Sequence, residues 1–564
     1  MAPPDSTVRP VTPLQIYQQV SLTGLPNYKC ARIPLQHQLH IPIWRHYLTS
    51  YSDNIICDFL EYGWPANYDR SHWPTSTFNN HSSALAYPVH VQDYLQEETY
   101  HNAMLGPFAH PPFPMWQINP MMTKSKKGSD TKRRVIVDLS WPHGSSVNDG
   151  ICKDYYLGEP ITLKYPTVDT LVAHIIQHGT GCLLFSVDLA RAYRQWRSDP
   201  LDWPLLGLKW NNSYYFDMSI PFGLRPGAMI CQRVTDAIRY ILHQDNIMVV
   251  NYIDDFAGIA TPSQAHTHFN SLRSLLQELG VQESEPKATE PSSVMTWIGI
   301  EFNTLDMTLK MPQDKISETL KLVREWGNKT TATRHQLQHL LGKLHHISKC
   351  VKPGRLFVSR LLHTLQQSYH SSPVTLDANF HKDLNWFENF LPSYNGIQMM
   401  CHPPHTNAGH TLTLDACLTG CGAIYGYEYY STVFPDFVLA NNHHIAHLEL
   451  LNIVVAAKIW GCQWRNTTIT VYCDNTAAVS VLTTGRGRDP YLLSCAREIF
   501  YLSVVHQFTL HPQHMPGRDM MLADSLSRAH MSPSFQAIYK SLLPDNQYHS
   551  CDVDARLFKL TANI

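Results

Sequence analysis

Short apolar runs bounded by turn residues alternate along this chain with segments whose apolar positions recur every three or four residues. "CLLFSVDLA" (182–190), "IMVVNYI" (247–253) and "TWIGIEF" (296–302) are continuous apolar runs rich in β-branched and aromatic residues, and they predict strands. "SQAHTHFNSLRSLLQELG" (263–280) has helical spacing and a natural stop at Gly280. "DKISETLKLVREWG" (314–327) and "TRHQLQHLLGKLHHISKC" (333–350) predict a mostly helical stretch. "FAHPPFPMWQINP" (108–120) is Pro-rich and reads as an irregular boundary, and "PSYNGIQMMCHPPHTNAGH" (392–410) reads as a linker. A second alternation of strand-like and helical segments follows from 411 to about 530. The whole pattern predicts an α+β, multidomain chain.

Composition narrows the classes. The chain has 564 residues and 44% apolar content, enough for several buried cores. Net charge is -2 and charged residues make up 16%, so any nucleic-acid signal must be local. The 13 cysteines form no CxxC pair, and the N-terminus "MAPPDSTVRP" has no apolar core. The expectation is an intracellular protein with free thiols. No apolar run is expected to reach the length of a membrane span. The patches "HHIAH" and "HPQH" lack the spacing of a zinc site.

Acidic residues at strand ends carry the chemistry. Asp188 ends "CLLFSVD", and Asp254 and Asp255 stand together between "IMVV" and "FAGIA". Adjacent carboxylates repel, and a lone Asp pair is most often a solvated turn. Apolar flanks favour instead a site where divalent cations hold the charges, because Mg²⁺ takes carboxylate and phosphate oxygens. A second set lies in the C-terminal block: Asp415 in "TLTLDACLTG", Glu449 in "HHIAHLELLN", Asp474 in "ITVYCDN" and Asp524 in "MLADSLSRAH". The strongest basic cluster is "KSKKGSDTKRR" (124–134), in which six of 11 residues are Lys or Arg. By itself it reads as a solvated loop.

Taken in order, "FSVDLARAYRQW", "IPFGLRPGAMICQRV", "YIDDFAGIA" and "TWIGIEFNT" resemble motifs A, B, C and E of reverse transcriptases of LTR-type retroelements. "VYCDN" and "ADSLSR" resemble retroelement ribonuclease H. "DLSWPHGSSVNDGI" (138–151) and "LGKLHHISKCVKPGRLFVSRLL" (341–362) resemble the DIRS type, whose elements use a tyrosine recombinase. The resemblance implies a right-hand polymerase of fingers, palm and thumb, followed by an α/β ribonuclease H-like domain. The implied division is 1–105 of unassigned role, 106–312 fingers and palm, and 313–395 thumb. A linker at 396–410, ribonuclease H at 411–530 and a tail at 531–564 complete it.

The same resemblance implies roles residue by residue. Asp188, Asp254 and Asp255 would bind two Mg²⁺ ions in the palm, with Mn²⁺ as the alternative ion. Asp415, Glu449, Asp474 and Asp524 would bind two more. Arg134 and Lys127 match triphosphate contacts. Tyr193 matches the aromatic that excludes a 2′-hydroxyl, with a packed core ring as the alternative. Phe222 and Gly223 match the turn beside the incoming nucleotide. Lys287 matches a proton donor to pyrophosphate, or is simply an exposed lysine. His514 matches a mobile histidine of ribonuclease H. One departure is Cys417, where the usual motif has Ser. Implied partners are an RNA template, a DNA primer, the RNA–DNA hybrid, deoxynucleoside triphosphates and other retroelement proteins, with no membrane. The competing readings are a catalytically inactive nucleic-acid-binding scaffold and an inactive transposon fragment. All seven carboxylates stand where the motifs require them, which favours the enzyme.

Overall fold

The computed structural model describes residues 11–23, 33–72, 76–126, 131–162, 164–348, 358, 361, 362, 364–366, 373–392, 410–465, 467–485, 487, 489–506, 508–543 and 547–560. They fall into two compact units, 1–174 with 181–292 and 175–180 with 293–564. Both mix helices and sheets, so the chain is α+β as its pattern predicts.

The heart of the first unit is a four-stranded antiparallel sheet. Its order is Val249–Tyr252, Asp255–Ala260, Leu183–Asp188, Thr289–Ser292. The apolar runs of the sequence form these strands because both faces are covered: Leu184, Phe185, Val187, Phe256 and Ile259 are all buried. Two helices supply the cover, Gly227–Gln244 and Ala265–Leu279. The second buries Ala265, Phe269, Leu272, Leu276 and Leu279 along one stripe. It stops at Gly280, whose φ of 75° is the left-handed cap predicted for it.

Residues on either side of position 105 share one body. Trp44, Phe59 and Leu95 lie in the same core as Phe185 and Phe256. The Pro-rich stretch 108–120 separates no domains, because the strands flanking it, Met104–Phe108 and Gln117–Ile118, belong to one five-stranded sheet. Strands Met121–Ser125 and Arg133–Val137 pair as an antiparallel hairpin.

The second unit opens with a three-stranded sheet, Val294–Trp297, Ile300–Asn303 and Thr308–Lys310. "TWIGIEF" is therefore a hairpin rather than one strand. Ile298 and Gly299 take φ of 43° and 77°, a two-residue turn that an apolar run conceals. Helices Gln313–Gly327, Arg334–Ile347 and Ala378–Phe390 follow, as the helical pattern predicts. A capping box between Thr333 and Gln336 starts the middle one.

A six-stranded mixed sheet completes this unit, in the order Thr509–His514, Thr468–Cys473, Thr411–Ala416, Gly420–Tyr425, Glu428–Val433, His549–Ser550. The first three run parallel, Gly420–Tyr425 is antiparallel to both of its neighbours, and the last runs parallel to Glu428–Val433. This is an α/β sheet, as the alternation of segments from 411 to about 530 predicts. The C-terminal residues, which carry no sequence signal, supply its sixth strand and the buried Phe558. Helix Ile445–Trp460 packs on the sheet and is buried nearly all round. Contrary to the expectation for apolar runs, Ile445–Trp464 is long and apolar enough to cross a membrane, yet most of it is buried within the protein.

Candidate active sites

The first site forms where the central sheet of the first unit turns. Asp255 and Asp188 are direct cross-strand partners, so antiparallel pairing brings their carboxylates to one sheet end. Asp254 occupies the two-residue turn between Tyr252 and Asp255, and its carbonyl accepts from the Leu189 N–H at 3.0 Å. Burial pushes the Asp254 carboxyl above its ordinary range, and the Asp188 charge adds to the shift. Lys287 donates to Asp188 Oδ1 at 2.8 Å. A cation therefore sits on this cluster, contributed by the segment whose Ser284 N–H donates to the Asp188 carbonyl at 2.7 Å.

The turn itself is strained. Ile253 has φ of 56°, a left-handed conformation that a β-branched residue rarely adopts. Buried polar side chains of helix Gly227–Gln244 hold it there. Gln232 Oε1 accepts from the Ile253 N–H at 2.7 Å, and Thr235 Oγ1 donates to the Ile253 carbonyl at 2.7 Å. Asn251 Nδ2 donates to Thr235 Oγ1 at 2.9 Å and to Asp236 Oδ1 at 3.0 Å. Gln232, Thr235 and Asn251 are fully buried, so this network fixes where the two aspartates point. The sequence motifs do not reveal it. The sequence offers only the polar set Gln232, Thr235 and Asp236 within an amphipathic helix that also carries Arg233 and Arg239.

The expected nucleotide-side residues divide. Tyr193 and Phe222 meet with ring centroids 4.7 Å apart; Phe222 is 49% exposed and Tyr193 packs partly into the core. Gly223 has φ of 99°, which suits glycine. Arg134 lies exposed on the hairpin strand Arg133–Val137, opposite Lys124. Its neighbour Arg133 is occupied, bonded to Thr123 and stacked on Tyr87 at 3.7 Å. Lys127 lies outside the described residues.

In the second unit the four predicted acids converge. Asp415 feels the charges of Asp474 and Asp524, and Glu449 those of Asp415 and Asp474. Ligand atoms of Glu449, Cys473 and Asp474 lie within 4.8 Å of one another. Asp415 and Glu449 are only 5% and 1% exposed. Burial pushes Asp415 up to about 6 and Glu449 well above the carboxylate range. Their bonds come from neutral groups. Ser527 Oγ donates to Asp415 Oδ2 at 2.5 Å, and the Ala416 N–H donates to Glu449 Oε1 at 2.9 Å. Arg528 pairs with Asp524 at 2.8 Å. The His514 ring bonds the Asp474 carbonyl at 3.1 Å through Nε2, on the strand beside Cys473.

Two further residues position this cluster. Asn452, one turn beyond Glu449, donates to the carbonyls of Asp415 and Gly422 at 3.0 Å each. Gly422 lets helix Met521–Ser527 approach: a Cβ there would stand 2.4 Å from the Leu526 Cβ. Both donor sets are rich in carboxylate oxygen, which fits hard divalent ions.

No family model matches the chain. It is 22% identical over 474 residues to the retrovirus-related Pol polyprotein from transposon opus of Drosophila melanogaster. The match covers 79% of this chain, and the chain spans 43% of that polyprotein's length. Similar solved structures include a foamy viral protease–reverse transcriptase with double-stranded DNA, at TM-score 0.46 and 14% identity, covering 85% of this chain and 99% of that one. The same type of enzyme with an RNA/DNA hybrid aligns at TM-score 0.44 and 14% identity, covering 86% and 64% of the two chains.

Proposed function

We propose that this chain is an RNA-directed DNA polymerase with a ribonuclease H, acting inside the cell on retroelement RNA. The observation that carries the reading is the grouping of acids: Asp188 opposite Asp255 on one sheet, and Asp415, Glu449, Asp474 and Asp524 around another. Similarity to a transposon Pol polyprotein supports it. The motifs at 138–151 and 341–362 favour a DIRS-type element; part of the second lies outside the described residues.

In this reading Asp188, Asp254 and Asp255 hold two Mg²⁺ ions, and the C-terminal acids hold another pair. Such ions activate an attacking oxygen and stabilise the leaving one. The protein's own groups do the rest. The latch of Gln232, Thr235 and Asn251 keeps the aspartate turn in place before substrate arrives. Lys287 neutralises Asp188 and offers a proton beside the leaving pyrophosphate. Tyr193, backed by Phe222, closes the sugar pocket against a 2′-hydroxyl. Arg134 supplies a guanidinium to the triphosphate. In the second site Ser527 and Asn452 fix the Asp415 strand, and His514 stands beside Asp474.

The test is primer extension on an RNA template with deoxynucleotides and Mg²⁺, in which primer and template carry separate labels. Primer growth together with template shortening supports both activities. A full-length template beside an extended primer removes the ribonuclease, and no extension with Mg²⁺ or Mn²⁺ removes the polymerase.

A further inference from the structure

The first unit contains a second group of charged side chains that the polymerase reading does not use. A cavity of about 250 Å³ is lined by Arg191, Arg194, Gln195 and Arg197, with His37 and Gln282 among the other walls. Three guanidiniums here meet two carboxylates. Arg191 bonds Glu98 at 2.7 Å, and Arg194 bonds Glu98 at 2.8 Å and Asp217 at 2.5 Å. Arg197 is 9% exposed, and among the described residues no carboxylate pairs with it. Its Nε donates to the Gln36 carbonyl at 3.2 Å. Its Nη1 donates to the Asn102 carbonyl at 2.6 Å and the Ser219 hydroxyl at 2.8 Å. Burial, with Arg194 and Arg191 nearby, pulls this guanidinium down to about 10. The Glu98 charge opposes this shift only in part, because that carboxylate is already bonded by Arg191 and Arg194, and a buried cation with no carboxylate bonded to it is costly.

His37 carries the complementary signal. The Leu39 N–H donates to His37 Nδ1 at 3.2 Å, so the neutral ring keeps its proton on Nε2. Burial and the Arg197 charge hold the ring neutral, with its pKa lowered to about 4. Nε2 is buried and has no hydrogen-bond partner among the described residues. An unpaired cation and an unused N–H donor therefore line one polar cavity. Both lack an anionic acceptor.

We propose that this cavity binds a small phosphate anion, inorganic phosphate or pyrophosphate, through Arg197 and the His37 Nε2–H. The site is independent of the catalytic reading, although its walls run into the catalytic strand. Gln195 donates to the Ala190 carbonyl at 2.7 Å and accepts from the Gln282 N–H at 2.8 Å. A bound anion would tie together the segments that follow Asp188 and Gly280.

Calorimetric titration and thermal unfolding of the full chain test this. Sodium pyrophosphate and sodium phosphate are compared with sodium chloride at matched ionic strength. EDTA is present throughout, so that no metal bridges the anion to the aspartates. The expected result is saturable binding and a raised unfolding midpoint, with the stronger anion identifying the ligand. Arg197→Gln should weaken binding by on the order of tenfold, as loss of a charge-assisted bond does. His37→Phe should weaken it by a smaller factor of about threefold. Asp254→Asn should bind as the parent does, which separates this site from the polymerase reading. A parent that responds to phosphate and pyrophosphate no more than to chloride overturns the proposal. Should Arg197→Gln fail to fold, parental affinity in His37→Phe also overturns it.

Discussion

The two carboxylate sites hold their charge in opposite ways. In the first unit the Asp188 side chain is 21% exposed and carries an ammonium from Lys287 at 2.8 Å. In the second, Asp415 and Glu449 are buried and receive bonds from a hydroxyl and a backbone N–H. Arg528 forms its ion pair with Asp524, which is 35% exposed, and acts on Asp415 only as the last of several influences. The same residue types, expected to bind the same ions, thus sit at different resting costs. At the open site one of the three carboxylates is paired in advance, although Asp254 keeps the cost of its own burial, and an incoming ion must displace or share with a lysine. The buried site keeps an electrostatic cost that an ion would relieve.

The largest effects should come from removing one acid at each site. Asp254→Asn should stop DNA synthesis, by on the order of a thousandfold for about 4 kcal/mol of lost stabilisation, while hybrid cleavage continues. Asp474→Asn should give the mirror result. Loss of both activities from either change would contradict two separate sites. Gly422→Val tests packing without touching an acid. The added methyls meet Leu526, so the helix bearing Asp524 must move. Cleavage should fall by on the order of a hundredfold, since small displacements cost that much, with extension unchanged. Normal cleavage would mean that the helix tolerates the shift.

Tyr193→Val should raise ribonucleotide use relative to deoxynucleotides by on the order of a hundredfold, about 2.7 kcal/mol of lost discrimination. The measurement is kcat/KM for matched nucleotides on one template, and an unmoved ratio makes Tyr193 a core aromatic. Arg134→Ala should raise the nucleotide KM by about tenfold and leave template binding alone. The difference in resting cost gives the smallest and sharpest test. Glu449→Gln should stabilise the metal-free chain by about 1 kcal/mol, since it removes a buried carboxyl whose ionisation its surroundings oppose. It should also abolish part of the rise in unfolding midpoint that Mg²⁺ gives the parent. A variant less stable than the parent without metal would reverse the assignment of cost.

The strands that carry Asp188, Asp255 and Asp415, and the strand that ends just before Asp474, were legible because their apolar residues are also their buried ones. The Ala265–Leu279 helix was legible for the same reason, with a glycine to end it. What stayed hidden depends on tertiary contact. Gln232 and Thr235 look like the polar side of an amphipathic helix until the Ile253 turn is packed against them. Lys287 lies 99 residues from Asp188, and no local pattern joins the two. "TWIGIEF" hid a turn, because an isoleucine in left-handed backbone leaves no compositional trace. Arg197 and His37 share one cavity only through the fold.

The short strand His549–Ser550 has a practical consequence. It pairs with Glu428 and Tyr429 at the start of Glu428–Val433, and the His549 and Cys551 N–H groups donate to the carbonyls of Tyr427 and Tyr429 at 2.8 and 2.7 Å. Without it, that strand would be the open margin of the sheet, flanked by Tyr427 at 68% exposure and Val433 at 47%. Unpaired margins of this kind recruit other chains. A recombinant fragment ending at 530, where the sequence motifs stop, would therefore self-associate through Glu428–Val433. One ending at 560 should stay dispersed, and light scattering of the two fragments at equal concentration checks whether this short strand guards the sheet margin.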